Sequence, residues 1–368
     1  MPRFACIVGA RPNFMKMAPI LHAFAEHPTA EPVLIHTGQH YDRNLSDVFF
    51  EELEIPRPDV SLGIGSGSHG EQTGRLLIEL EKTFVESQEG GKPFDRVVVV
   101  GDVNSTMAAT LAAVKLQIPV AHVEAGLRSY DRRMPEEANR IVTDSLSDLL
   151  LVSEESGVEN LRREGQPDDR IRLVGNVMID TLLRQVRRAA GQSILNDLGL
   201  QQGSYAVVTS HRPSNVDDKE TLRGLIQVLI DVSRSLPVVF PVHPRTQSRL
   251  ESFGLLPELQ AAEGIKLLEP LGYIDFLALT SQSRVIVTDS GGLQEESTAL
   301  EIPCLTMREN TERPITVSEG TSVLVGSDPQ LLDQHLRAVL DGTYKQGRCP
   351  KLWDGKAAER IVTELMSA

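Results

Sequence analysis

A chain of 368 residues is long for a single hydrophobic core, so two domains of ordinary size are expected. With 40% hydrophobic and 24% charged residues the composition is that of a globular protein. A net charge of −14 speaks against nucleic acid and anionic membrane as partners, so any phosphorylated ligand must be met by cations concentrated locally. Cys6, Cys304 and Cys349 are too few for a disulfide framework and lack metal-ligand spacing; Cys6 and Cys304 sit in apolar runs and read as buried thiols.

In chain order, Met1–Gly9 reads as a first strand at Phe4–Val8 rather than a signal segment. Further apolar runs at Val33–His36, Arg96–Val100, Val120–Val123, Leu149–Val152 and Ile171–Leu173 predict strands, with helices between them such as Asn104–Lys115 and Glu136–Leu146. The pattern restarts at Ala206–Thr209 and continues through Val238–Val242, Ile265–Leu268, Arg284–Thr288, Cys304–Met307 and Ser322–Val325. This alternation predicts an α/β fold of two Rossmann-like doubly wound domains, residues 1–175 and 176–350, joined near Val174–Asn176. The closing segment 351–368 reads as a helix that could lie on either domain. No apolar stretch reaches membrane-spanning length, so a cytoplasmic protein without a membrane partner is expected.

Ligands of open parallel sheets sit beyond the carboxyl ends of strands, and the chemistry-bearing residues fall there. Thr288-Asp-Ser-Gly-Gly-Leu-Gln-Glu-Glu-Ser297 is strand end, Gly-Gly turn and helix start in succession. Such a turn aims unpaired N–H groups and a positive helix end at one point, a place for phosphate. Ser290 can donate its hydroxyl, Gly291 and Gly292 admit a ligand to the backbone, and Glu296 could take two sugar hydroxyls. Arg11 and Lys16 flank another strand-to-helix turn, where cations are misplaced unless an anion binds. His211-Arg212 offers two donors for a pyrophosphate; His243 follows a strand and reads equally as a structural histidine. Among the acids, Glu124 lies inside an apolar strand run, where an unpaired charge is costly. Asp102 could be a reacting acid or a helix N-cap, and Glu136 a reacting acid or a first-turn acid after Pro135. Gly65-Ser-Gly-Ser-His-Gly70 satisfies G-x-G-x-x-G but does not follow the first strand, so no dinucleotide cofactor is expected.

Taken together, Gly9-Ala-Arg-Pro12, Lys16-Met-Ala-Pro19, Gly101-Asp102, His122-Val-Glu-Ala-Gly-Leu-Arg128, Pro135-Glu-Glu-Ala-Asn-Arg140, Gly175-Asn176, His211-Arg212, Pro241-Val-His243, Thr288–Glu296 and Thr311-Glu-Arg-Pro314 resemble the non-hydrolysing UDP-N-acetylglucosamine 2-epimerases over nearly the whole chain. The resemblance implies a GT-B-like arrangement of two domains facing a cleft, commonly as a homodimer. It implies a UDP-sugar substrate and inversion at C2 of the sugar, with neither a metal nor NAD as cofactor. Lys16, Asp102, Glu124, Glu136 and His211 match the family's catalytic positions. Ser290, Gly291, Gly292, His211, Arg313 and Arg11 would meet the phosphates, Glu296 the ribose and Phe276 the uracil, and Arg212 and His243 are counted with the UDP-binding residues from their strand-end positions.

Asn13 departs from the Glu that many members carry there. His36–Asp42 and Gly65–Gly70 differ from bacterial members with a second, activating UDP-GlcNAc site. Parts of the pattern are similar to the branch acting on UDP-2,3-diacetamido-glucuronate, which is the alternative substrate. A GT-B glycosyltransferase would use the same nucleotide cradle, but would need an acceptor groove where this chain has clustered acids. A nucleotide-sugar sensor without turnover would have no need of those acids.

Overall fold

The computed structural model describes residues 1–38 and 54–367, apart from the side chain of Arg11. The later part of the His36–Asp42 segment therefore lies outside the described residues. Two compact units are present, Met1–Thr181 with Lys351–Ala368, and Leu182–Pro350.

The first unit runs β1 (Arg3–Val8), α1 (Arg11–Ala25), β2 (Glu31–His36), β3 (Val60–Ser61), α2 (His69–Glu89), β4 (Arg96–Val100), α3 (Asn104–Lys115), β5 (Val120–Ala125), α4 (Pro135–Leu146), β6 (Leu149–Val152), α5 (Glu155–Arg163) and β7 (Ile171–Leu173). Helix α6 (Val177–Ala189) carries the chain across to the second unit. That unit holds α7 (Ile194–Asp197), β8 (Ala206–Thr209), α8 (Pro213–Val216), α9 (Lys219–Ser233), β9 (Val238–Pro241), α10 (Pro244–Phe253), α11 (Leu256–Gln260), β10 (Ile265–Leu268), α12 (Tyr273–Thr280), β11 (Val285–Thr288), α13 (Gly291–Ala299), β12 (Cys304–Thr306), α14 (Pro314–Ser318), β13 (Ser322–Leu324) and α15 (Pro329–Leu340). Helix α16 (Ala357–Ser367) belongs to the first unit and packs on α1.

Both sheets are parallel, ordered β3-β2-β1-β4-β5-β6-β7 and β10-β9-β8-β11-β12-β13. This is the doubly wound α/β architecture expected from the alternating apolar runs. Continuous Val-rich strands such as Val97–Val100 are buried because helices cover both faces of a parallel sheet. In the first core Leu76, Leu80 and Phe84, one helical turn apart on α2, meet Ile7, Ile35, Val97 and Val99. In the second, Leu225, Leu229, Leu332 and Leu336 meet Val208, Phe240 and Val287. Cys6 and Cys304 are free, buried thiols, as read, and burial pushes the Cys6 thiol up to about 12. Strand β3, two residues long, is too short to carry a periodic signal.

The order of each sheet reverses beside its first strand, between β1 and β4 and between β8 and β11. Turns leaving such neighbouring strands diverge to opposite faces and open a crevice for ligand. The turns after β1 and β4 lead to Lys16 and Asp102, and those after β8 and β11 carry His211, Arg212, Ser290, Gly291 and Gly292.

Asp180 on α6 accepts from the backbone N–H groups of Ala357 (3.2 Å) and Ala358 (2.8 Å), closing the start of α16. Burial outweighs those bonds and lifts its carboxyl to about 6 from 3.8. The folded chain thus holds this proton more tightly than the unfolded chain. The stability Asp180 contributes is full below about pH 4 and declines as pH rises through 6, by about 2–3 kcal/mol. Asp180→Asn should flatten the dependence of the urea midpoint on pH between 4 and 7. An unchanged slope would assign the titration to another group.

Candidate active site

In the first unit the acids are assembled by β1, β4 and β5 with α1 and α4. Asn13 stands at the switch point: its Oδ1 accepts from Gly9 N–H (3.1 Å) and Ala10 N–H (3.0 Å), and its Nδ2 donates to the Val100 carbonyl (2.8 Å). A carboxylate here could accept the first two bonds but not make the third, which accounts physically for the amide. The side chain of Arg11 lies outside the described residues. One turn further along α1, buried Lys16 donates to the Glu124 carboxylate, so the costly charge foreseen in β5 is paired. Gly101, at φ +68°, makes room for this pair: a Cβ there would stand 2.9 Å from Lys16 Nζ and 3.4 Å from Glu124 Oε2.

Glu124 itself has φ +74°, and the β5–β6 register shifts between Val123 and Ala125. A left-handed non-glycine residue costs about 1–3 kcal/mol and persists only where its surroundings impose it. Asp144 on α4 supplies that constraint. Its carboxylate takes His122 Nδ1 (2.6 Å), Arg128 Nη1 (2.7 Å) and the Gly126 N–H (3.1 Å), gripping β5 on either side of Glu124. His122 Nε2 meets the Gly101 carbonyl at 2.8 Å, tying the bulge to β4. Burial alone would raise the Asp144 carboxyl; His122 and Arg128 reverse this and hold it low.

Asp102 does not cap α3, whose N-cap is Val103. It pairs instead with Arg140 Nη2 at 2.6 Å, while Asn139 Nδ2 holds the Asp102 carbonyl at 2.8 Å. The other arm of Arg140 binds Glu137 (2.8 Å), which also takes the N–H groups of Ser129 (3.0 Å) and Tyr130 (2.9 Å). The two adjacent acids of α4 are thereby separated. Glu137 is buried and locks a loop, whereas Glu136 is half-buried, in the first turn as either reading of it required.

In the second unit Thr209 and Thr288 are register partners, and their hydroxyls meet at 2.6 Å. The turns after β8 and β11 therefore start side by side, and Asp289 organises both. Its Oδ2 takes the backbone N–H groups of His211 and Arg212 (2.8 Å each) and Asn215 Nδ2 (3.0 Å); its Oδ1 lies 2.8 Å from His211 Nδ1. Burial would raise this carboxyl, but these donors hold it at about 2. The main-chain donors of His211-Arg212 are therefore committed to Asp289, and Arg212 Nε to the Asp289 carbonyl (3.0 Å). His211, half exposed, keeps its Nε2 edge for a ligand. His243 lies 5.3 Å away, ring to ring, with Nδ1 accepting the Arg245 N–H (3.2 Å) as N-cap of α10. Burial and then the nearby His211 lower the pKa of His243.

Ser290 is the N-cap of α13, accepting from Leu293 N–H at 3.5 Å with its own O–H left to donate. The N–H groups of Gly291 and Gly292 open the helix, where no intrahelical carbonyl can reach them. Glu296 is buried on the same helix, with the Tyr273 hydroxyl 3.4 Å away. Phe276, also on α12, packs with Leu293 and Ile286. Anion cradle, carboxylate and aromatic ring are thus brought onto two neighbouring helices. Arg313 is the N-cap of α14 and binds Glu295 through Nε at 2.6 Å. Among the described residues no group of three or more His, Cys, Asp or Glu is placed to hold a metal ion, and no helix is long and apolar enough to cross a membrane.

The family model for UDP-N-acetylglucosamine 2-epimerase matches residues 22–366. The chain belongs to the UDP-N-acetylglucosamine 2-epimerase family. It is 42% identical over 366 residues to the UDP-N-acetylglucosamine 2-epimerase of Methanocaldococcus jannaschii, covering 98% of each chain. It is 40% identical over 365 residues, 98% of each, to the UDP-2,3-diacetamido-2,3-dideoxy-D-glucuronate 2-epimerase of Pseudomonas aeruginosa. A crystal structure of the M. jannaschii enzyme in complex with UDP-GlcNAc and UDP superposes with a TM-score of 0.84 at 41% identity, covering all of both chains. The family is one of isomerases, and the fold and family expected from the sequence motifs are those found. Sequence reasoning missed Arg140, Asp144 and Asp289, which hold the candidate residues or the segments that carry them. Asp289 had a usable signal, being an acid directly after a buried strand, as Glu124 is within one.

Proposed function

We propose that the chain is a non-hydrolysing UDP-GlcNAc 2-epimerase, interconverting UDP-GlcNAc and UDP-ManNAc. The observation that carries this reading is the pair of built arrangements: the Lys16–Glu124 pair and the Arg140-bound Asp102 in the first unit, and the Ser290-Gly291-Gly292 helix start with Glu296 and Phe276 in the second. A carboxylate removes the C2 proton while the C1–O bond to UDP breaks, leaving a C1=C2 glycal. A solvent-exchangeable proton is then delivered to the opposite face of C2 by a second acid, and the UDP oxygen re-forms its bond to C1. Cations and helix N–H groups stabilise the departing diphosphate, and several carboxylates divide the acid and base work. Phe276 stacks on uracil, Glu296 takes the ribose hydroxyls, and His211 and Arg313 meet the diphosphate. The enzyme acts in the cytoplasm as a homodimer, supplying a nucleotide sugar for cell-surface polysaccharide.

A second reading, epimerisation of UDP-2,3-diacetamido-glucuronate, is favoured by the 40% identity to the P. aeruginosa enzyme, close to the 42% of the first. Incubation with each UDP-sugar in turn, followed by chromatographic separation of the C2 epimers, tests both. Conversion of UDP-GlcNAc alone supports the first; conversion of the uronate alone replaces it with the second. Glu296→Ala is expected to weaken UDP binding about 10- to 100-fold through loss of charged hydrogen bonds to the ribose. An unchanged Kd by calorimetry would remove Glu296 from the nucleotide site.

A further inference from the structure

Arg308, two residues beyond β12, is a charged group that the reading above leaves unused. Its side chain is only 4% exposed, and its Nη2 is bound to Glu312 Oε2 at 2.7 Å. Nη1 is buried with no hydrogen-bond partner. A Cβ added to Gly291 would lie 3.4 Å from that same Nη1, which puts the free edge of the guanidinium against the first residue of α13. Two features make this arrangement unfavourable by itself. A buried guanidinium N–H without an acceptor bears its full desolvation cost. A permanent cation beside a helix N-terminus is repelled by the helix dipole. An anion bridging the helix start and Nη1 removes both penalties.

The guanidinium is also held rigidly. Burial would raise the Glu312 carboxyl, but Arg308 and Arg313 hold it at about 2, so it remains a charged anchor for Nη2. Thr311 donates to Gln294 Oε1 on α13 at 2.9 Å and accepts the Arg313 N–H at 3.0 Å, fixing the loop against the helix. We propose that Arg308 binds the diphosphate of the nucleotide through Nη1, completing the cradle of Ser290, Gly291 and Gly292, with Glu312 as the residue that positions its fork. This rests on the assignment of α13 as the nucleotide site. It adds a donor that neither the sequence motifs nor the family resemblance singled out.

Calorimetric titration of wild type, Arg308→Gln, Arg308→Lys and Glu312→Gln with UDP, UMP and uridine tests the assignment. Loss of a charge-assisted phosphate contact is expected to weaken UDP binding about 10- to 100-fold in Arg308→Gln. The effect should be smaller on UMP and absent on uridine. Arg308→Lys should recover part of the loss, keeping the charge without the fork. Glu312→Gln should fall between wild type and Arg308→Gln, again with uridine unmoved. Equal losses for UDP and uridine would mean that Arg308 only supports the fold and would overturn the proposal. So would wild-type UDP affinity in Arg308→Gln, while leaving the nucleotide site itself standing. A wild-type protein that binds no UDP would bring down the nucleotide assignment and this proposal with it.

Discussion

Glu124→Gln is expected to lower kcat by about 10³- to 10⁴-fold while the Kd for UDP moves by no more than a few-fold. The amide has the shape of the carboxylate but cannot accept a proton at neutral pH. Glu124 is the acid for which the fold makes the largest concession. It occupies a left-handed backbone position in a bulged strand, held there by Asp144 on either side and paired with Lys16. Fold stability alone gives no reason to keep a buried carboxylate in that conformation. Removing one partner of a buried pair is itself destabilising, by about 3–5 kcal/mol. The double variant Lys16→Met, Glu124→Gln, which removes both charges, therefore serves as control: it should regain stability and stay inactive. Turnover within tenfold of wild type in either variant would take Glu124 out of the chemistry. Asp102→Asn, which keeps an acceptor for Arg140, should behave likewise, with UDP binding retained and turnover lost.

The second large effect is expected at Asp289. Asp289→Ala leaves the N–H groups of His211 and Arg212 and the Asn215 amide without their acceptor in a buried place. Loss of several such bonds should cost the second unit about 3–5 kcal/mol and weaken UDP binding at least 100-fold, because the β8 and β11 turns lose their common anchor. Asp289→Asn tests the charge more gently. The folded carboxyl is held at about 2 against 3.8 unfolded. Its contribution of about 2 kcal/mol is therefore present above pH 4 and lost as pH falls towards 2. The stability gap between wild type and Asp289→Asn, followed by urea unfolding, should close over that acid window. A gap that stays constant from pH 5 to pH 2 would show that the charge of Asp289 does not stabilise the fold.

The strands were legible because a parallel sheet buried on both faces demands continuous apolar runs, and Val97–Val100 or Val285–Thr288 satisfy no other requirement so well. Glu124 was legible for the converse reason, a charge where the pattern called for a hydrophobe. The turn after β11 could be read from glycine placement, since Ser290, Gly291 and Gly292 satisfy a rule of local geometry. What escaped was everything fixed by pairing across distance. Arg140 reaches back 38 positions to Asp102, Asp289 reaches 78 to His211, and Asp144 bonds His122 across 22. No helical or strand period connects such residues; only the strand order, β4 beside β5 and β8 beside β11, brings them together. Arg308 is of the same kind, an arginine in a loop until the helix start of α13 is set against it. His243 shows the reverse case, a histidine after a strand that local geometry engages as a cap.

Proton NMR of UDP-GlcNAc incubated with the protein in D2O, without added nucleotide cofactor or metal, tests the proposed reaction most directly. Removal of the C2 proton and redelivery from a solvent-exchanged acid predict loss of the sugar H2 signal, collapse of its coupling to H1, and growth of UDP-ManNAc deuterated at C2. Epimer formed with the original proton retained at C2 would contradict the deprotonation route. An unchanged spectrum, from protein that binds UDP, would contradict UDP-GlcNAc as substrate.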